Sequence, residues 1–143
     1  MTQISALTQA TWTALFRAQT HARNQAEAAL KAAKLPNLEV YDILWELEQA
    51  GRAGLRPYQL QERLLLPQYG VSRRLDNLQR QGLIDRRNSA EDGRGFVVYL
   101  TDKGRQTRTA IWQHYAPVIR QVIDTPLSQA EQDTLQALLS RLV

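Results

Sequence analysis

Cysteine is missing from this 143-residue chain, which excludes disulfides, thiolate nucleophiles and thiol-based oxidant sensing. Histidine occurs twice, at His21 and His114, far apart and too few to converge on a transition metal without thiolate help. No apolar run approaches the roughly 20 residues that a membrane-spanning helix needs. The opening residues, Met1 to Ser5, lack the basic and then apolar stretches of a secretory signal. These absences lead us to expect a cytoplasmic protein with no membrane partner. No Ser/His/Asp set, carboxylate pair or phosphate-binding glycine loop can be assembled, so we expect neither an enzyme nor a cofactor. The length allows one domain with a real core, spanning 1–143.

Acidic residues are scarce where basic ones gather. Between Gly51 and Arg108 there are twelve basic and six acidic residues, whereas the rest of the chain holds six basic and eight acidic. Fifteen of the eighteen basic residues are arginine, whose planar fork suits phosphate and guanine edges better than a lysine point charge does. A solvated charged surface is the commoner source of such numbers; the placement of the charges decides against it.

The Ala-rich stretch Thr8 to Lys34, free of Gly and Pro, predicts a helix. Asn37 is placed to cap a second helix, Leu38 to Ala50, which Gly51 and Gly54 end. Pro57 opens a third helix, where its missing N–H costs nothing, with Leu60, Leu64 and Leu65 expected inward. A fourth is expected from Gln68 to Gln81, closed by Gly82. Leu83 to Arg86 and Phe96 to Leu100 read as two strands around a polar tip. Thr101-Asp102 then caps a fifth helix reaching about Ile123, with Pro117 expected to kink or interrupt it. Ser128 and Glu131 form a capping box that opens the last helix.

Helix, turn, helix and hairpin in this order predict a mainly α fold with a small β-hairpin wing, a winged helix-turn-helix with flanking dimerisation helices. The DNA-binding lobe is expected at 37–101 and the dimerisation helices at 5–35 and 102–143. On the fourth helix, at about 100° per residue, Leu75 and Leu78 fall within about 40° of Val71 and form the inward stripe. Tyr69, Arg73, Asp76, Asn77 and Arg80 fall opposite, with Ser72 at the flank. Such side chains reach phosphates and base edges, and the N-terminal half of the helix enters the groove. Gln68, Tyr69, Ser72 and Arg73 are thus the expected base readers, with Asn77 behind them. Arg86, Arg87 and Arg94 cluster at the hairpin tip, where arginine suits a narrow minor groove; Asp92 is expected to orient Arg94 or a neighbouring arginine.

The run Gly54-Leu55-Arg56-Pro57, Leu60, Leu64-Leu65-Leu66, Val71-Ser72-Arg73, Leu75-Asp76, Leu78, Gly82-Leu83-Ile84 and Arg86 resembles the MarR-type regulators. It continues into Asp92, Arg94, Val98, Leu100-Thr101 and Gly104, which resemble that family's wing signature. The likeness covers roughly Leu38 to Arg105. It implies a homodimer built through the first and last two helices, a pseudo-palindromic operator, usually repression, and often release by a small phenolic or lipophilic ligand. It also implies recognition-helix positions at Ser72 and Arg73 and the wing pair at Asp92 and Arg94. Leu66-Pro67 departs from the more usual polar Ser-type residue ahead of that helix, and Tyr69-Gly70 places a bulky and then a flexible residue near the base-reading end.

Trp12, Tyr41, Asp42 and Trp45 are candidate ligand contacts, though core or dimer packing accounts better for the tryptophans, and a solvated or N-terminal helix charge for Asp42. The outer helices carry Leu7, Leu15, Leu127, Leu135, Leu138, Leu139 and Leu142, more apolar surface than a small lobe covers, which calls for a second copy. One fold hosts many functions, so a winged-helix module binding an acidic protein partner is the alternative to DNA binding.

Overall fold

The computed structural model describes residues 2–89 and 95–143. Its elements are α1 (Ala6–Ala32), α2 (Leu38–Ala50), α3 (Pro57–Arg63), α4 (Val71–Arg80), β1 (Ile84–Asn88), β2 (Phe96–Leu100), α5 (Asp102–Ile119) and α6 (Gln129–Ser140), with a 3-10 turn at Gly51–Ala53 and a π turn at Arg120–Asp124. This is a winged helix-turn-helix. By its internal contacts the chain divides into one unit of residues 1–33 and 114–143 and another of 34–113. The lobe expected at 37–101 lies within the second.

In that second unit α2, α3, α4 and the hairpin pack on one another. Ile43 and Leu44 of α2, Leu60 of α3, Leu75 of α4 and Val98 of β2 are fully buried, and each contributes about 1.5–3 kcal/mol by leaving water. The strands pair antiparallel, with Ile84 opposite Leu100 and Asn88 opposite Phe96. On the other edge of β2, Leu55 exchanges both backbone bonds with Val98, at 3.0 and 2.8 Å. Leu55 gets there because Gly54 adopts φ +62°, and a β-carbon on Gly54 would stand 2.7 Å from the Val98 carbonyl oxygen. At the start of α5, a β-carbon on Gly104 would lie 2.1 Å from the Leu83 carbonyl oxygen.

Local signals set most boundaries. Asn37 Oδ1 accepts from the Val40 N–H at 3.1 Å, and Thr101 Oγ1 from the Gly104 N–H at 3.0 Å. The helix α4 ends in a Schellman motif: Gly82, at φ +75°, donates to the Gln79 carbonyl at 2.9 Å and Leu83 to that of Leu78 at 3.0 Å. Three expectations need correction. α3 stops at Arg63 and leaves Leu65 exposed, because the Leu66 N–H is drawn to the Asp42 carboxylate at 2.8 Å instead of continuing the helix. α4 begins at Val71, not Gln68, since Gly70 before it is left-handed (φ 69°, ψ 37°). α5 passes through Pro117 and then widens into the π turn, where the Thr125 N–H reaches the Arg120 carbonyl at 3.0 Å.

In the first unit, Ser5 caps α1, which begins at Ala6, two residues before the expected start. Ser128 and Glu131 form the expected capping box, with bonds of 3.2 and 3.0 Å. Leu7 and Trp12 of α1 and Leu135 and Leu138 of α6 are exposed. Ile123, Leu135, Leu139 and Val143 line an open groove of about 510 Å³. No helix among the described residues is long and apolar enough to cross a membrane.

Candidate nucleic-acid interface

Helix α4 carries the two faces that its spacing predicts. Val71, Leu75 and Leu78 are buried, while Ser72, Arg73, Asp76, Asn77 and Arg80 are exposed. The charges on it are not equally available. Arg74 is ion-paired with Glu39 of α2, Arg80 donates to Asn77 Oδ1, and Asp76 is ion-paired across to Arg86 of β1. Arg73 enters no ion pair among the described residues, and its neighbour Ser72 is equally open to solvent.

Gln68 does not sit on the helix. It precedes it, is buried, and its Nε2 donates to the Glu39 carbonyl at 3.1 Å. That correction removes it from the outward surface. Tyr69, next along, is 96% exposed.

The hairpin separates two arginines that the sequence grouped together at its tip. β1 runs on to Asn88, so successive side chains alternate between faces. Arg86, opposite Val98, shares the inner face; its guanidinium lies 5.1 Å from the Phe96 ring centroid and its side chain is only 19% exposed. Arg87, opposite Val97, lies over Tyr99 at 4.6 Å, meets Asp85 at 3.4 Å and remains 67% exposed. Both contacts are diagonal cross-strand pairs, but only Arg87 keeps its cation in water; Arg86 is largely withdrawn from it. Arg87 therefore presents its charge outward, whereas Arg86 ties the strand to α4. Asp92 and Arg94 lie outside the described residues.

One basic residue escaped the sequence reading as an interface element. Arg56, immediately before α3, donates from Nη2 to Ser89 Oγ at 2.9 Å and so reaches the loop end of the hairpin. The available signal was Pro57, which biases the residue before it to extended backbone and so lets the Leu55-Arg56 segment beside β2 run toward the tip.

The candidate ligand residues fall into different units. Trp12 belongs to the first, where its ring packs against Phe16 at 4.7 Å. Tyr41 and Trp45 belong to the second; Tyr41 stacks on Trp45 at 6.4 Å and on Trp112 at 6.1 Å. Burial pushes the Tyr41 hydroxyl above its usual pKa, against the opposing pull of Arg108. Arg108 also lies 5.5 Å from the Trp45 ring centroid and is ion-paired with Glu48. Asp42 is buried and its carboxylate serves the Leu66 N–H. Among the described residues no group of three His, Asp or Glu could hold a metal ion.

Comparison with known proteins follows the same lines. No curated protein matches the chain in sequence. Residues 35–95 match the MarR family. The fold is similar to that of a MarR family transcriptional regulator from Streptomyces coelicolor in complex with DNA, at 20% identity and a TM-score of 0.88, over 99% of this chain and 89% of that one. A MarR variant from E. coli complexed with operator DNA is similar at 19% identity and a TM-score of 0.82, over 99% of each chain. A probable transcriptional regulator from Pseudomonas aeruginosa reaches 25% identity and a TM-score of 0.77, over 92% of this chain and 95% of that one. Over residues 35–95 the chain is thus similar to the MarR family, and its fold is a winged helix-turn-helix like that of solved regulators of that family.

Proposed function

We propose that this chain is a cytoplasmic transcription regulator that binds double-stranded DNA in a sequence-specific way as a homodimer, and that it acts as a repressor at a pseudo-palindromic operator. The observation that carries the reading is the outward face of α4: Ser72 and Arg73, which enters no ion pair among the described residues, stand exposed on a helix whose other arginines are committed to neighbours. The exposed Arg87 on the hairpin adds a phosphate contact beside it. Arg94 of the wing pair is assigned to the minor groove and Asp92 to orienting it. The exposed apolar faces of the first unit favour a second copy, and twofold symmetry would set two recognition helices about one DNA turn apart.

A small phenolic or lipophilic ligand is assigned to the surface around Tyr41 and Trp45, where stacked rings and Arg108 would receive a flat, weakly acidic molecule. Trp12 remains a candidate of the first unit. Asp42 is withdrawn from the surface offered to a ligand, because its side chain is buried and its Oδ2 accepts the Leu66 N–H.

The test is binding-site selection from random duplex DNA, followed by titration at several salt concentrations. A twofold-symmetric site, with affinity falling steeply as salt rises, is the expected result. Arg73→Ala should relax base preference at one position per half-site at a cost of about 1–3 kcal/mol. Failure of any duplex to be enriched would refute the reading and favour an acidic protein partner.

A further inference from the structure

The seven residues that join α3 to α4 (64–70) are held from the inside at two points. The Leu66 N–H donates to Asp42 Oδ2 at 2.8 Å, and Gln68 Nε2 donates to the Glu39 carbonyl at 3.1 Å. Both acceptors stand on α2, and the Asp42 and Gln68 side chains are buried. Exposure alternates along the segment: Leu64, Leu66 and Gln68 turn inward, and Leu65, Pro67 and Tyr69 turn outward. Tyr69 is consequently presented to solvent over nearly all its surface by a backbone pinned one residue before it. Gly70 then bends the chain into α4 at φ +69°, so the ring stands at the end of the helix that enters a major groove in this docking.

What this ring can read follows from its chemistry. Ser72 and Arg73 offer hydrogen bonds, while Asn77 and Asp76 are engaged with Arg80 and Arg86. Tyr69 adds an apolar edge, and Leu65, 78% exposed on the same connection, adds another. In the major groove the one apolar group that base pairs present is the thymine C5 methyl. Displaying a held aromatic ring to water gains nothing in the isolated chain, whereas covering a methyl removes apolar surface from water on both sides.

We propose that Tyr69 is a specificity-determining residue that reads a thymine methyl through its ring, held in position by the Asp42 and Gln68 anchors. The inference rests on the DNA-binding reading above. Its test uses the duplex selected by the wild-type protein and copies in which single thymines are replaced by uracil, which removes only the methyl. Wild type should lose about fourfold in affinity at one thymine per half-site, the size expected for one buried methyl group. Tyr69→Phe should keep that loss and Tyr69→Ala should abolish it, with both variants melting like wild type because the residue is exposed. A Tyr69→Ala variant with an unchanged uracil profile overturns the inference while DNA binding stands. So does a Tyr69→Phe variant that loses affinity evenly on every duplex, which would assign the hydroxyl to phosphate. If the wild type selects no duplex at all, the DNA-binding reading fails and takes this inference with it.

Discussion

Two glycines in the second unit stand where a β-carbon has no room, and each fixes a junction that the interface depends on. At Gly104 the obstacle is the Leu83 carbonyl oxygen, 2.1 Å from an added β-carbon, and backbone cannot swing aside as a side-chain tip can. At Gly54 the obstacle is the Val98 carbonyl oxygen at 2.7 Å, compounded by φ +62°. Gly104→Ala and Gly54→Ala should therefore each cost about 1–3 kcal/mol, read as a lower urea midpoint with an unchanged slope. Ala substituted at Gly51, which also has positive φ but nothing within 4 Å of an added β-carbon, should cost less than either. Residues whose partners are near in sequence were legible in advance: Asn37, Pro57, Gly82 and Ser128 act within their own turn. Gln68 and Leu65 were not. The groups that turn one inward and the other outward, Glu39 and Asp42, stand more than twenty residues away, and helical periodicity carries no information about them.

Ion pairs add to the packing that joins the elements of the second unit. The ion pair between Asp76 and Arg86 ties the outer face of α4 to β1, yet Asp76 is more than half exposed, so the pair is worth at most a few tenths to about 1 kcal/mol. Asp76→Asn should leave the fold nearly unchanged. It also removes a carboxylate from the face assigned to DNA and frees Arg86, so duplex affinity should rise severalfold at low salt, measured by fluorescence anisotropy. A fall in affinity would mean that the pair positions the strand. The strand pairing was largely legible, with Phe96 to Leu100 read as it stands, but the reach of β1 to Asn88 was not. Once the strand extends that far, period-two alternation places Arg86 and Arg87 on opposite faces, and the notion of an undivided arginine cluster fails. In α6 the Glu131 carboxylate, bound to the Ser128 N–H, is held below the usual carboxylate pKa. A lowered value in the folded state means stability present above the unfolded value and lost as pH falls through the folded one. Glu131→Gln keeps the cap without the charge, so circular dichroism between pH 6 and pH 3 should show less acid fraying in the variant than in wild type.

For the molecule as a whole, the first unit poses the largest unanswered demand. Leu7, Trp12, Phe16, Leu135, Leu138 and Leu142 are all exposed in the single chain, and exposed apolar side chains in such number call for a partner surface. A stable dimer buries about 1,200–2,000 Å² in total, and helices as long as α1, with 27 residues, supply faces of the required length. If a second copy covers them, Leu138→Arg places an unpaired charge in the interface and should convert the protein to monomer in sedimentation equilibrium at micromolar concentration. The same change lies in α6, outside the unit that carries Tyr69, Ser72 and Arg73, so it leaves the recognition surface untouched. Its effect on DNA must then arise from losing the link between half-sites. Affinity for the full symmetric site should fall by about 10²-fold or more, while affinity for an isolated half-site stays the same. A wild-type chain that is monomeric at micromolar concentration, or a variant that loses both affinities equally, would show that the apolar faces serve some other contact.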